Sequence, residues 1–477
     1  MDASRDDAYF LPHHASLTSL DPLDVCGDLP EAIRQDGTVS QGYLLKTALI
    51  QADADLARIE SVDGRGEDHL RQWVARFDEM VQVLAYSLHQ AGHVDTGFLQ
   101  EVLAEQTWDH LACFRSHLLQ VALELPDLFP SGTLDYLSCI SPEQSFSGQQ
   151  VDSLLSHLFL GTLQIPKGND WGRPGFLAYF RGDPPIESTV RGYATTLIAH
   201  FASGGYTKPC AGSEDGCFVF RWSTSDGMAD VASANVSATL KIKLVAQAIE
   251  PSAEGDADTF VLLNAHSQPG PGPSGTHEEK LMGQSPALAI TSLVAPLLDK
   301  KAAIVTSAFP VHGQWQGYGR KAHLVQLFDA TAGSTAHQRR YIIADALELD
   351  MASDSGALPD LDQGNVLREV KKLYAGFKGA LSWWQSADTA GRSSAPAAFR
   401  IEAVPWGCQA FGGDLVVKAQ CMIMAAALAN IQSVDLYIPT ERLEQAQQIQ
   451  ALSEQHKTAA ELFARLTIFK AARESTL

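Results

Sequence analysis

The sequence predicts an α/β protein in which a mixed central sheet is packed by helices and preceded by a helical region. Three observations carry this. Apolar residues in the first half recur at helical steps, and short β-branched runs alternate with helical patterns in the second half. The chain also has 477 residues, 45% of them hydrophobic, enough for two to three folded units. Leu70, Trp73, Val74, Phe77, Met80, Val81, Leu84 and Leu88 mark one face of a helix that Gly92 is placed to end. A second helix carries Trp108, Leu111, Phe114, Leu118 and Val121 and stops before Pro126. A third opens at Ser147, with Gln150 completing a capping box, and its apolar face is Val151, Leu154, Leu155, Leu158 and Phe159. All three stripes read as core packing.

Strands are expected at Leu240–Ile249, Thr259–Ala265, Ala303–Phe309, Leu324–Phe328, Tyr341–Ala344, Phe399–Val404 and Val434–Ile438. Helices alternate with them at Ala287–Leu298, Val366–Phe377 and Leu415–Ala429. The Gly/Ser/Asp-rich stretches Gly212–Gly216, Ser252–Asp258 and Ser353–Gly364 read as loops.

Charge excludes whole classes of partner. With 56 acidic and 35 basic residues the chain carries −21, which argues against direct DNA or RNA binding and against an anionic membrane surface. The seven cysteines (26, 113, 139, 210, 217, 408 and 421) contain no CxxC pair, so neither a zinc ribbon nor a thioredoxin-type site is expected. Cys210 and Cys217 are spaced for a local bridge, but reduced thiols fit an intracellular protein better. MDASRDDAYFLPHH lacks a basic start followed by an apolar run, so no signal peptide is expected, and the longest apolar run, Cys421–Ala429, falls far short of the roughly 20 residues of a membrane helix. The expectation is a soluble intracellular protein without a membrane partner.

Three segments could carry chemistry. In Gln268–Lys280, QPGPGPSGTHEEK, Gly270, Gly272 and Gly275 spell GxGxxG. Pro271 and Pro273 remove amide donors from that loop, and Asp299 sits at a helix end, so a dinucleotide fold is rejected. His277-Glu278 begins an HExxH pattern, but Leu281 stands where the second ligand would be. What remains is a Gly-rich loop delivering Glu278 and Glu279 to a helix start. Acids are favoured there by the dipole, and paired carboxylates also suit a general acid that cleaves a glycosidic bond. In Pro405–Asp414, PWGCQAFGGD, three glycines before a helix allow a backbone phosphate nest, or simply a tight turn capped by Asp414. Cys408 has no partnered His and is discounted as a nucleophile. In Trp315-Gln316-Gly317-Tyr318-Gly319 the aromatics either stack on a base or ribose or seal a core edge.

Taken in order, these segments resemble the poly(ADP-ribose) glycohydrolase family. The resemblance covers about residues 119 to 440. It begins with Leu119–Leu125 and the helix Gly148–Leu163. It continues through the glycine loop with His277-Glu278-Glu279, GQWQGYG with Tyr318, Arg339–Leu347 and Leu367–Phe377. It ends on Trp406-Gly407-Cys408…Ala410-Phe411-Gly412-Gly413-Asp414…Lys418. It implies a macrodomain-like three-layer α/β/α fold in residues 196–477, preceded by a helical accessory region in 1–195. It implies that Glu279 protonates the leaving ribose oxygen and then activates water. Glu278 would hold ribose hydroxyls and raise the pKa of its neighbour. Gly270, Gly272, His277 and Tyr318 would contact substrate, and Gly407, Cys408, Gln409, Ala410, Phe411, Gly412 and Gly413 would cradle the diphosphate. No metal and no cofactor are implied.

The implied partners are poly(ADP-ribose) or ADP-ribosylated proteins, with ADP-ribose as product, in a monomer of the nucleus or cytoplasm serving the DNA damage response. Departures mark a divergent, fungal-like member. Pro271 interrupts the glycines and the loop is short. His277 replaces Gln, Leu262–His266 replaces Asp-Phe-Ala-Asn, Pro405 replaces Asn and Gln409 replaces Gly. An aromatic that stacks on adenine is missing around Leu436–Thr440. The acidity of the chain suggests action at chain ends. The competing readings are a macrodomain that binds ADP-ribose without cleaving it and a hydrolase of single ADP-ribosyl groups on proteins. The Glu278/Glu279 pair favours an enzyme over a reader.

Overall fold

The computed structural model describes residues 8–27, 37–62, 66–207, 217–245, 258–328, 337–350, 358–386 and 399–474. Cys210 and the predicted loop stretches 212–216, 252–257 and 353–357 lie outside them. So does the end of the strand predicted at Leu240–Ile249.

Nine strands make the main sheet: β1 (Glu143–Ser147), β2 (Cys217–Thr224), β3 (Thr239–Val245), β4 (Thr259–Ala265), β5 (Ala302–Thr306), β6 (Phe309–Pro310), β7 (Gln338–Asp345), β8 (Arg400–Ala403) and β9 (Ser433–Pro439). Their order is β1-β2-β5-β7-β4-β8-β9-β3, with β6 beside β7. Neighbours from β1 to β7 run antiparallel, and those from β7 to β3 run parallel. The expected mixed sheet is therefore present. The run around Leu324 is a strand as predicted, but it pairs with Gly313–Gln316 in a separate hairpin.

Alternate residues of the central strands feed two different cores. Val261, Leu263, Ile304, Tyr341 and Ile343 face the helices of the first half. Phe260, Leu262, Ala303, Val305, Ile342 and Ala344 face the helices Gln363–Ser386 and Leu415–Leu428. Period-two strands buried on both sides define three layers, as expected. The boundary drawn at 195/196, by contrast, runs through the helix Glu187–Ala202. One core joins the first-half helices to the sheet, and β1 comes from before that boundary. Hydrophobic periodicity shows that a face is buried and says nothing of what covers it.

The first predicted helix spans Glu67–His89 and ends on Gln90, which takes the left-handed conformation (φ 50°), so Gly92 plays no part. The Ser147/Gln150 capping box opens Gly148–Leu160 as expected, but this helix is buried on every side. Its buried His157 and Asp152 are both paired. His157 bonds Thr162 Oγ1 (2.6 Å) and the Ala122 carbonyl (3.1 Å), and Asp152 accepts from His200 Nε2 (2.8 Å) and from the Tyr206 amide (2.7 Å). The helix expected at Ala287–Leu298 is a 3₁₀ turn, Pro286–Ile290, followed by a single α turn, Thr291–Val294. The segment is buried throughout, leaving no polar face from which a period could be read.

Three imidazoles, His157 buried and His89 and His312 half-buried, set an acid limit. Burial is the main cause that holds His89 and His157 at about 4 and His312 at about 3. Unfolded histidine titrates near 6.5, so below that pH the unfolded chain binds more protons than the fold. Their contribution is therefore complete above about 6.5 and is lost progressively as pH falls towards 4 and then 3. Burial alone would raise the Asp152 carboxyl, but His200, His117 and the Tyr206 amide outweigh it and lower it, so acid costs stability there too. Urea midpoints are expected to stay level above about pH 7 and fall steadily below about pH 6.5. A midpoint that is flat down to about pH 4 would contradict neutral histidines at these positions.

Candidate active site

The site grows from the carboxyl edge of the parallel strands, where the loops after β4, β7 and β8 gather. The loop after β4 feeds the helix His277–Gln284, whose N-cap is Thr276. Thr276 Oγ1 accepts the Glu279 amide (3.4 Å) and Glu279 Oε2 accepts the Thr276 amide (2.8 Å), a reciprocal capping box. The chemistry that starts the helix thus also fixes the Glu279 carboxyl. Both oxygens of Glu278 accept backbone amides, from His266 (2.7 Å) and Gly270 (3.1 Å).

Glu278 and Glu279 are 5% and 8% exposed. Burial raises both carboxyls above the usual glutamate range, Glu278 strongly, while the amide donors pull in the opposite sense. This revises the expectation that Glu278 raises its neighbour. Desolvation is the first cause at each, and the repulsion between them acts on Glu278 behind it. The tertiary fold supplies that desolvation. Tyr193 donates from beneath to the carbonyls of Gly272 and Glu279 (2.9 Å each), and Tyr179 donates to the Pro271 carbonyl (2.8 Å). Burial, then the charges of Glu279 and Glu278, push the Tyr179 phenol up to about 12.

The opposite wall is the loop after β8. Trp406 is fully buried and donates to the Ala344 carbonyl (3.0 Å). Gly407 and Gly412 take left-handed φ of 70° and 69°, which is why glycine stands there. Beneath them lies an ion web: buried Lys418 pairs with Glu369 and with Asp360 (3.2 Å), and Asp360 also accepts the Asp414 amide (2.6 Å). Asp414 in turn caps Leu415–Leu428 through the amides of Val416 and Val417 (2.9 and 3.0 Å). Asn264 Nδ2 donates to the Pro405 carbonyl (3.2 Å) and ties the two walls together.

Of the residues singled out in the sequence, Glu278, Glu279, Gly270, Gly272, His277, Tyr318, Gly407, Gln409, Ala410 and Phe411 line one cleft of about 240 Å³. Cys408, Gly412 and Gly413 do not. Cys408 is buried, its thiol raised by burial and directed at the Trp406 carbonyl (3.2 Å). The expected amide nest is partly closed on itself. The amides of Cys408, Gly412 and Gly413 bond the carbonyls of Pro405 (3.3 Å), Gln409 (3.2 Å) and Gly407 (2.9 Å), and that of Ala410 bonds Tyr318 Oη (3.2 Å). The His277 ring accepts the Asn264 amide (3.3 Å). The aromatic loop divides: Trp315 is buried against Gly192 and Gly283, and only Tyr318 reaches the cleft.

The cleft also holds residues the sequence reading missed, chiefly Asn264, His266, Trp171 and Arg173. Trp171 stands edge-on to His266 (4.9 Å), which lies 5.9 Å from Phe411, and these rings form a rim. Arg173 is the only Lys or Arg among the described lining residues. The one local signal for these two is the loop composition of WGRPG. Among the described residues no group of three or more His, Cys, Asp and Glu side chains could hold a metal ion, and no helix is long and apolar enough to cross a membrane.

A three-layer α/β/α fold with two desolvated carboxyls at the carboxyl edge of its parallel strands is of macrodomain type. Residues 264–446 match the sequence profile of poly(ADP-ribose) glycohydrolase, macro domain fold, and this segment belongs to that family. The chain is similar to poly(ADP-ribose) glycohydrolase from Deinococcus radiodurans in complex with ADP-ribose, at 14% identity, covering 50% of this chain and 94% of that one with a TM-score of 0.34. A point mutant of the same enzyme, also with ADP-ribose, matches at 12% identity over 54% and 97% of the two chains, TM-score 0.31. An alphavirus protein, P23pro-zbd, matches at 10% identity over 73% and 40%, TM-score 0.25.

Two glycines of the first loop should respond differently to substitution. A Cβ on Gly272 would lie 2.1 Å from Glu279 Oε1, whereas one on Gly270 meets nothing nearer than 3.6 Å. Gly272→Ala is expected to cost about 1–3 kcal/mol in urea unfolding, and Gly270→Ala less than about 0.5. Equal losses would show that the carboxyl is not packed against Gly272.

Proposed function

We propose that the cleft hydrolyses the ribose–ribose O-glycosidic bond of poly(ADP-ribose) and releases ADP-ribose from chain ends. The observation that carries this reading is the pair Glu278/Glu279. Both carboxyls are buried and raised, and they face a cleft within a segment of the glycohydrolase family. A raised carboxyl retains its proton nearer neutral pH and can pass it to a leaving oxygen. Glu279, protonated, would give its proton to the departing ribose oxygen as the anomeric C–O bond breaks. Its carboxylate would then take a proton from the water that attacks the oxocarbenium-like centre. The acid is restored, and the product is ADP-ribose with a free anomeric hydroxyl.

Glu278, with both oxygens on backbone amides, holds the glycine loop in place and keeps lone pairs for ribose hydroxyls. The diphosphate would lie along Gln409–Phe411, the part of the second loop that lines the cleft, facing Arg173.

Glu279→Gln is the test, because Gln also satisfies a capping box and keeps the helix start while removing the acid. ADP-ribose release from purified poly(ADP-ribose) is expected to fall about 10²–10⁴-fold, with ADP-ribose affinity retained. A native protein that binds ADP-ribose and releases none would make the cleft a reader. Long oligomers among early products would refute action from chain ends.

A further inference from the structure

A second cavity, of about 690 Å³, lies on the other side of the segment that carries Trp171 and Arg173. Its walls come from the N-terminal stretch (Tyr9, Phe10, Thr18, Ser19), the helices Gln41–Glu60 and Glu67–His89, Tyr136, and Gln164, Lys167 and Arg173. Three features distinguish it. No carboxylate lines it among the described residues, although acids outnumber bases 56 to 35 in the chain. Its cationic side chains are Lys167 and Arg173, and Arg173 lines the catalytic cleft as well. Among the described residues the Arg173 guanidinium makes no hydrogen bond or ion pair, and burial lowers its pKa.

The remaining walls are already built. Tyr9 donates to the Gln164 carbonyl (2.8 Å), Gln164 to Gln41 Oε1 (2.7 Å), and Gln41 to Ser19 Oγ (2.8 Å) and the Leu88 carbonyl (3.0 Å). His89, held at about 4, is neutral near pH 7 and donates to the Gly161 carbonyl (3.1 Å).

Resting on the glycohydrolase reading above, we propose that this cavity is a second substrate subsite. It takes the ADP-ribose unit next to the one held in the catalytic cleft, with Arg173 between the two diphosphates. The chemistry fits such a unit. There are aromatic faces for a base, amide and hydroxyl groups for ribose, and two cations for a diphosphate, in a volume typical of small-molecule sites. The subsite makes the substrate a chain of at least two units and favours poly(ADP-ribose) over a single ADP-ribosyl group. It also lets a −21 protein hold a polyanion through one local positive patch.

The test uses the full chain and Lys167→Glu, with Lys167→Ala as a milder step. Lys167 is exposed and lines only the second cavity. KM for size-fractionated chains of three or more units is expected to rise about tenfold in Lys167→Glu and less in Lys167→Ala. Affinity for monomeric ADP-ribose should stay within about twofold, because the monomer fills the catalytic cleft alone. Chain KM unchanged, or chain and monomer weakened equally, would overturn the subsite. Direct binding of the same chains separates this from the reaction itself. If the native protein releases no ADP-ribose, yet Lys167→Glu weakens chain binding and spares the monomer, the subsite stands and the glycohydrolase reading falls.

Discussion

The desolvation of two adjacent carboxyls in the first turn of His277–Gln284 is the constraint around which the site is built. A buried carboxylate is costly unless donors compensate it, and here the compensation is partial by construction. Glu278 has two amides, and Glu279 has its capping partner with further help from the loop amides. The result is a pair of carboxyls raised above their usual range and held still. Gly272 follows from this, since any side chain there would occupy the place of Glu279 Oε1. Tyr193 and Tyr179 follow as well, since the loop carbonyls beneath the acids need donors once water is excluded.

The second loop obeys a different rule. Its shape depends on charges buried under it: Lys418, Glu369 and Asp360 form a web that also anchors the amide of Asp414. Removing one member would leave an uncompensated buried charge, typically a loss of about 3–5 kcal/mol, so the web is held together as a unit. The loop spends three of its amides on its own turns, and the one Lys or Arg among the described residues lining the cleft is Arg173. That residue comes from the first half of the chain. The helical region is thus part of the site as well as its support, and it shares one core with the sheet.

The sequence alone determined the layer type, the ends of several elements and the acidic pair. Those properties rest on local physics. Period-two apolar runs make strands, Ser147 with Gln150 makes a helix start, and the glycines of Pro405–Asp414 mark a turn before a helix. Only the tertiary structure decided what lies opposite those acids. Trp171, Arg173, Tyr179 and Asn264 carry no pattern that distinguishes them from other loop or core residues, and their roles arise from where distant segments meet. The hairpin carrying Trp315 could not be split into core and cleft residues for the same reason, nor could the buried turns at 286–294 be told from a helix. Periodicity reports how one element meets its surroundings, whereas a site is made by the surroundings meeting one another.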